Sequence, residues 1–221
     1  MYSYGDGVRK NNKEAVKWFR MAAEQGEEGA QTSLGVRLFY GQGVKKDMEE
    51  ALVWYRKATR KGECHAQANL GRCYQHGQGV EKDPRKAIAW FKKAFDGGNI
   101  KACLNLASIY EEGDGVPKDP KQVAYWFRKA ACLGDEEGMR ELGICYHEGL
   151  GVRRNFPTAV VWYRKAARQN DSWAQYCLGM SYRDGEGVRR NRGTAKNWFR
   201  MAAANHVPKA RRALNRLELS S

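Results

Sequence analysis

The sequence predicts an all-α fold, a solenoid of antiparallel helix pairs laid down in chain order. Two observations predict it. Six tryptophans (Trp18, Trp54, Trp90, Trp126, Trp162 and Trp198) stand 36 residues apart without a slip. A Gly-x-Gly-Val tetrad keeps the same interval, at Gly5–Val8, Gly41–Val44, Gly77–Val80, Gly113–Val116, Gly149–Val152 and Gly185–Val188. A fixed period of this length marks one supersecondary unit stacked on copies of itself, each copy touching only its neighbours. The 221 residues therefore read as a single solenoid domain. Its expected divisions are a partial repeat (1–26), full repeats at 27–62, 63–98, 99–134, 135–170 and 171–206, and a terminal half-repeat or capping helix at 207–221. Tyr2 to Val8 already fall deep inside a repeat, so the chain is expected to be either a piece of a longer protein or one that starts without a cap.

The first helix of each unit carries Ala30, Leu34 and Gly35, then Ala66, Leu70, Gly71 and Tyr74, and later Ala174, Leu178, Gly179 and Tyr182. Small Ala and Gly let two backbones approach, while Leu and Tyr fill the gap between them. The tetrad is the turn that follows. Glycine adopts positive φ without steric cost, and the valine is placed to tuck into the core. The tetrad lacks the spacing and the Lys-Ser/Thr of a phosphate-cradling loop.

The second helix starts at Asn11, Asp47, Asp83, Asp119, Asn155 or Asn191, side chains that accept from free helix N–H groups. Pro84 and Pro120 follow at the first helical position. Glu14 and Glu50 are spaced for capping boxes with Asn11 and Asp47. The stripe Ala51, Trp54, Tyr55, Ala58 recurs as Ala87, Trp90, Phe91, Ala94 and as Ala159, Trp162, Tyr163, Ala166, which buries one helical face and puts the tryptophans in the core. Gly26, Gly62, Gly98 and Gly134 end the helix.

The net charge of +14 is uneven. Residues 1–150 hold 24 Lys and Arg against 21 Asp and Glu; residues 151–221 hold 15 against four, a local excess of +11. That asymmetry fits an acidic partner for the C-terminal end, or a solubilising bias. Among the six cysteines, Cys73 and Cys145 alone share a repeat phase and lie two repeats apart, beyond disulfide reach. Mostly free thiols in a reducing compartment, hence a cytoplasmic location, are expected, with a periplasmic or secreted one as the alternative if the N-terminus is truncated. No run of about 18 apolar residues offers a membrane span.

The motif Ala-x-x-x-Leu-Gly-x-x-Tyr-x-x-Gly-x-Gly-Val-x-x-Asp-x-x-x-Ala-x-x-Trp-Tyr-x-Lys-Ala, matched nearly letter for letter by Ala66 to Ala94, resembles the Sel-one-like repeat family, relatives of the tetratricopeptide repeats. Leu38, Ala107, Val123, Gly138, Asn170 and His206 depart from it. The resemblance implies a right-handed α/α superhelix. It also implies a non-catalytic interaction scaffold of bacterial type, acting in signalling, the envelope or host contact. The stapled, secreted relatives pair cysteines seven apart in between; Cys132 would need a partner at Arg140 and has none, so that branch fits poorly.

In such an array the first helices line the groove. The expected partner-binding residues are Phe39, Arg72, Leu104, Arg140, Ile144, His147, Trp173, Tyr176, Met180, Arg183, Arg212 and Arg216. Trp173 is the one tryptophan out of register and forms an apolar stripe with Tyr176 and Met180. Aromatics, Met and Arg are enriched at the centres of interfaces. The alternative is packing between repeats, against Arg168 or Arg212. The expected partner is a protein or peptide, of acidic character, bound by a monomer.

Basic residues form one row in the turns (Arg9, Lys10, Lys45, Lys46, Lys82, Lys118, Arg153, Arg154, Arg189, Arg190) and another on the second helices (Arg20, Arg56, Lys92, Arg128, Arg164, Arg200). These rows are either solvated faces or a track for a polyanion; nucleic acid is disfavoured because no exposed aromatics interleave with them. No catalytic site, cofactor or metal is expected. Cys64, His65, Cys73 and His76 scatter around one helix, and neither a Ser-x-x-Lys nor a His-Glu-x-x-His signature supports the β-lactamase-like activity associated with some secreted relatives.

Overall fold

The structure, a computed structural model, describes residues 11–113 and 115–219. The tetrad Gly5–Val8 and the rungs Arg9 and Lys10 lie outside the described residues. Among the described residues there are twelve α-helices and no strand: α1 (Asn12–Glu24), α2 (Glu28–Tyr40), α3 (Met48–Thr59), α4 (Cys64–His76), α5 (Pro84–Asp96), α6 (Ala102–Glu112), α7 (Pro120–Cys132), α8 (Glu136–Glu148), α9 (Phe156–Arg168), α10 (Ser172–Asp184), α11 (Arg192–Ala204) and α12 (Pro208–Leu219). The chain divides into two compact units, Met1–Ile109 with Asp114–Val116, and Tyr110–Gly113 with Pro117–Ser221. Within the first, α1 to α5 pack consecutively; within the second, α7 to α12 do the same.

The caps form as the sequence dictates, with one correction. Asn11, Asp47, Asp83, Asp119, Asn155 and Asn191 each accept from backbone N–H groups of the first helical turn. The reciprocal half of the capping box is replaced. The Glu50 carboxylate takes the indole N–H of Trp54 at 3.1 Å and the Arg20 guanidinium at 2.7 Å. Glu14 pairs with Lys17. A helix-start carboxylate near two better donors serves them before its own cap.

At the far end of α3, the N–H of Glu63 reaches back to the carbonyl of Ala58, and Asp135 to Ala130 and Asp171 to Ala166 do likewise. This closure needs positive φ one residue earlier, which Gly62 and Gly134 supply at +88° and +93°. Asn170 and His206 hold the same left-handed conformation at +67° and +61°. Asparagine and histidine are among the non-glycine residues most often found there.

The core is set by the residue after each repeat tryptophan. Tyr55, Phe91, Tyr163 and Phe199 are fully or almost fully buried. Each ring lies on the side-chain-free position of the preceding helix. A Cβ built on Gly35 would meet Tyr55 at 2.6 Å, on Gly71 Phe91 at 2.7 Å, on Gly143 Tyr163 at 2.5 Å and on Gly179 Phe199 at 2.4 Å. The tryptophans hold a second rank, which corrects the expectation that all six are core. Trp54 and Trp126 are 6% exposed, but Trp18 is 53% exposed and Trp90, Trp162 and Trp198 are half-buried. One residue of offset turns the indole about 100° from the helix interface, to its edge. There lysines one turn on cover it: Lys57 over Trp54 at 4.1 Å, Lys93 over Trp90 at 4.8 Å and Lys165 over Trp162 at 4.1 Å.

The tetrad's second glycine joins one repeat to the last. A Cβ on Gly43 would lie 2.4 Å from the Asn12 carbonyl, and one on Gly187 2.4 Å from that of Phe156. The turn therefore docks backbone-to-backbone on the start of the previous repeat's second helix, while Val44 and Val80 pack on the core of the first unit.

Gly179→Ala forces a methyl into the Phe199 ring and is expected to cost about 1–3 kcal/mol in urea denaturation. Gly29→Ala, where nothing lies within 4 Å, is expected to be neutral or to stabilise by up to about 1 kcal/mol.

Candidate functional site

Repeat position decides how open each groove residue is. The position of Trp173 is exposed in every described repeat: Gly29, His65, Lys101, Glu137 and Lys209 occupy it elsewhere. The next position on the same face, held by Thr32, Ala68, Leu104, Arg140 and Tyr176, is buried or half-buried, whereas Arg212 holds it exposed in α12. The reason is that this side chain reaches the start of the next repeat. Thr32 Oγ1 donates to Glu63 at 2.7 Å, and Arg140 Nη1 to Asp171 at 2.7 Å. Glu63 and Asp171 are themselves N-caps of α4 and α10, as Asp135 is of α8. The family motif has no fixed letter at this cap, so the sequence pattern does not single these acids out; only the spacing to Thr32 and Arg140 hints at them.

Arg140 is thus a joint between repeats. It also bonds Glu141 at 2.7 Å and Glu137 at 3.2 Å, and its side chain is only 16% exposed. Burial opposes its charge, but hydrogen bonds and the three carboxylates overcome that and raise its pKa further. His147 plays a similar part at the other end of α8. It contacts Glu186 at 2.8 Å and Glu148 at 2.9 Å, and stacks edge-on with Phe156. Burial works against its protonation, yet the two carboxylates prevail and raise its pKa above the ordinary value.

The remaining groove residues separate by unit. In the first, Phe39 and Arg72 border a crevice of about 10 Å³ with Tyr40, Tyr55 and Cys73, room for little more than a water. In the second, Ile144 is half-buried, Arg183 is paired with its neighbour Asp184 at 2.7 Å, and Arg212 and Arg216 are exposed. Trp173 is 42% exposed. Its ring meets Tyr176 edge-on at 6.0 Å, and Tyr176 lies 5.7 Å from Phe199. Tyr176 and Met180 lean on the core formed by α11 and α12, so they support the indole from below and face solvent less than the stripe alone suggests. The cation beside Trp173 is Lys209, at 5.7 Å, in place of Arg168 or Arg212.

None of the six cysteines is joined in a disulfide. Burial pushes Cys73 up to about 11 and Cys145 and Cys177 up to about 12, so these stay protonated and make poor nucleophiles at neutral pH. Cys64 and His65 gather with Glu63 rather than with Cys73 and His76; their ligand atoms lie within 4.8 Å of one another. The Glu63 carboxylate there is engaged by Thr32 and by the N–H groups of His65 and Ala66, at the positive end of α4. No helix among the described residues is long and apolar enough to cross a membrane.

Arg140→Met leaves Asp171, whose side chain is 8% exposed, without its cation; a loss of about 2–4 kcal/mol in chemical denaturation is expected. Arg140→Met with Asp171→Asn, which keeps the cap, is expected to recover most of that loss. His147 gains a raised pKa on folding, so its contribution is complete below its unfolded value of about 6.5 and fades as pH rises through the folded value. Stability followed between about pH 6 and 8 should fall, and His147→Gln should remove that part of the slope.

A comparison with curated proteins finds no match. The Sel1 repeat pattern matches residues 1–27, 29–63, 64–99, 100–135, 136–171 and 174–206. Among solved structures, a Sel1 repeat protein of Oxalobacter formigenes is 34% identical with a TM-score of 0.85, over 93% of this chain and 84% of that one. A protective antigen of uropathogenic Escherichia coli displaying the same fold is 31% identical with a TM-score of 0.65, over 99% of this chain and 55% of that one. The immunity protein PA5088 of Pseudomonas aeruginosa, at 24% identity and a TM-score of 0.52 over 83% of this chain and 67% of that one, shares the fold. The repeat pattern, carried on stacked helix pairs, makes this chain a member of the Sel1 repeat family.

Proposed function

We propose that the chain is a non-catalytic scaffold that captures a peptide or helix of a partner protein on the exposed face of α10, anchored by Trp173. Sel1 repeats are in general protein-interaction scaffolds. The observation that carries the finer reading is the state of that one indole. It occupies a position that other repeats fill with glycine or a polar side chain. Its ring packs edge-on against Tyr176, whose ring in turn lies against Phe199. An aromatic that is exposed yet immobilised loses little entropy on binding, and such residues dominate interface energetics. Lys209 beside it favours a partner with an acidic flank. The bacterial sources of the similar structures support an adaptor role in bacterial signalling, envelope or host contact.

The test is affinity capture from the source organism with wild type and Trp173→Ala. The variant is expected to lose the partner with its thermal midpoint changed by no more than about 2 °C. Tyr176→Ala is the poorer probe, because its ring packs on Phe199 and should cost stability as well. Unchanged capture by Trp173→Ala would overturn the assignment of α10.

A further inference from the structure

The second unit contains an open cavity of about 500 Å³ lined by Arg128, Tyr146, Val152, Arg153, Arg154 and Asn155. Three arginines line it and no acidic residue does. Among the described residues no acid pairs with any of the three arginines. Two of them are already positioned. Arg128 Nη2 donates to the Tyr146 hydroxyl at 3.0 Å, and Arg154 Nη2 donates to the Glu148 carbonyl at 3.3 Å and lies over Phe156. Because the Tyr146 oxygen accepts from Arg128, its own O–H is left to donate to a ligand. The Glu148 carboxylate, the nearest acid in sequence, is taken by His147.

The same six residue types recur one repeat later: Arg164, Tyr182, Val188, Arg189, Arg190 and Asn191. Arg164 Nη2 donates to the Tyr182 hydroxyl at 2.7 Å with its guanidinium 5.9 Å from that ring. A Cβ built on Gly185 would lie 3.3 Å from the Arg190 Cβ, as one built on Gly149 would lie 3.4 Å from that of Arg154. The turn at Gly77, in the first unit, supplies the contrast. There Arg56, Tyr74, Glu81, Lys82 and Asp83 hold these places, two cations against two acids. Asp83 moreover ties up Lys86 at 3.1 Å, and that lysine sits near the Tyr74 ring. The fold tolerates an acid at the cap, yet the two C-terminal repeats carry asparagine there and an extra arginine two residues earlier.

We infer that these are two tandem phosphate-binding clefts, and that they grip a peptide bearing two phosphomonoesters. Three guanidinium groups and a phenol offer more donors, from more directions, than a planar carboxylate accepts; a phosphomonoester presents three oxygens and close to two charges. Neighbouring repeats are about 10 Å apart, the span of about three extended residues. The clefts therefore suit phosphorylated side chains at i and i+3. None of the lining side chains is a free aromatic face on which a base would stack, which sets the clefts apart from single-stranded nucleic-acid grooves. This inference stands independently of the Trp173 surface.

The experiment is fluorescence anisotropy with a labelled peptide carrying phosphoserines at i and i+3, beside its singly phosphorylated and unphosphorylated forms. The doubly phosphorylated peptide is expected to bind more tightly than the singly phosphorylated one by about a hundredfold, and the unphosphorylated form not at all. Arg128→Gln or Arg164→Gln should reduce it to the singly phosphorylated level. Asn155→Asp with Asn191→Asp should weaken it by about tenfold or more at an unchanged thermal midpoint, since Asp83 and Asp119 cap their helices equally well. Trp173→Ala should have no effect. Equal binding of phosphorylated and unphosphorylated peptides would overturn the inference. So would indifference to the two aspartates, or a single-stranded RNA that binds as tightly and depends on the same arginines.

Discussion

Four of the helix pairs in this molecule rest on a ring lying against a backbone that has no side chain. Tyr55 on Gly35, Phe91 on Gly71, Tyr163 on Gly143 and Phe199 on Gly179 bring two helices closer than any Cβ would allow. That approach buries the leucines Leu34, Leu70, Leu142 and Leu178 completely. It also fixes the rotation of both helices, and so decides which positions face the next repeat and which face solvent. The caps and the left-handed terminal residues then only need to end each helix where the following one begins.

The repeat itself was plain in the sequence, because a period of 36 over the whole chain admits few architectures. The order of importance inside the repeat was less plain. Tryptophan is the conspicuous letter and suggested the core, yet the smaller ring beside it is the one pressed into the helix interface. Adjacent aromatics on a helix differ by about 100° in direction, and a linear reading cannot tell which of the two points inward. The partner glycine one helix earlier is the clue that decides it.

The proposed binding face was legible in part for a related reason. Counting along α10 correctly put Trp173 outward, but the same count placed Arg140 and Tyr176 in open solvent. Both are drawn toward the following repeat, Arg140 by the buried carboxylate of Asp171 and Tyr176 by the core around Phe199. Such contacts join residues about one period apart, and their partners vary from repeat to repeat. Thr32 to Glu63 is polar and uncharged on one side, whereas Arg140 to Asp171 is an ion pair. A pattern that averages over repeats erases this variation. The proposed clefts beside Tyr146 and Tyr182 escape a motif search likewise, since the motif records what the repeats share and the arginine pairs Arg153–Arg154 and Arg189–Arg190, each before an asparagine, lie at positions it leaves open.

The turn that docks its second glycine onto the previous repeat has a consequence for how the chain assembles. Each unit is built from helices whose main contacts are with the next helix along. No strand must wait for a distant partner, and the loops to be closed are short. Such a chain has a low contact order, the property that goes with fast folding. It also lacks a single point at which assembly must begin. A nascent segment holding two neighbouring repeats already contains nearly every contact those repeats will make. The same economy sets the failure mode under load: a pull on one terminus meets only one joint at a time, so the chain yields by peeling from its end rather than by collapsing as a whole.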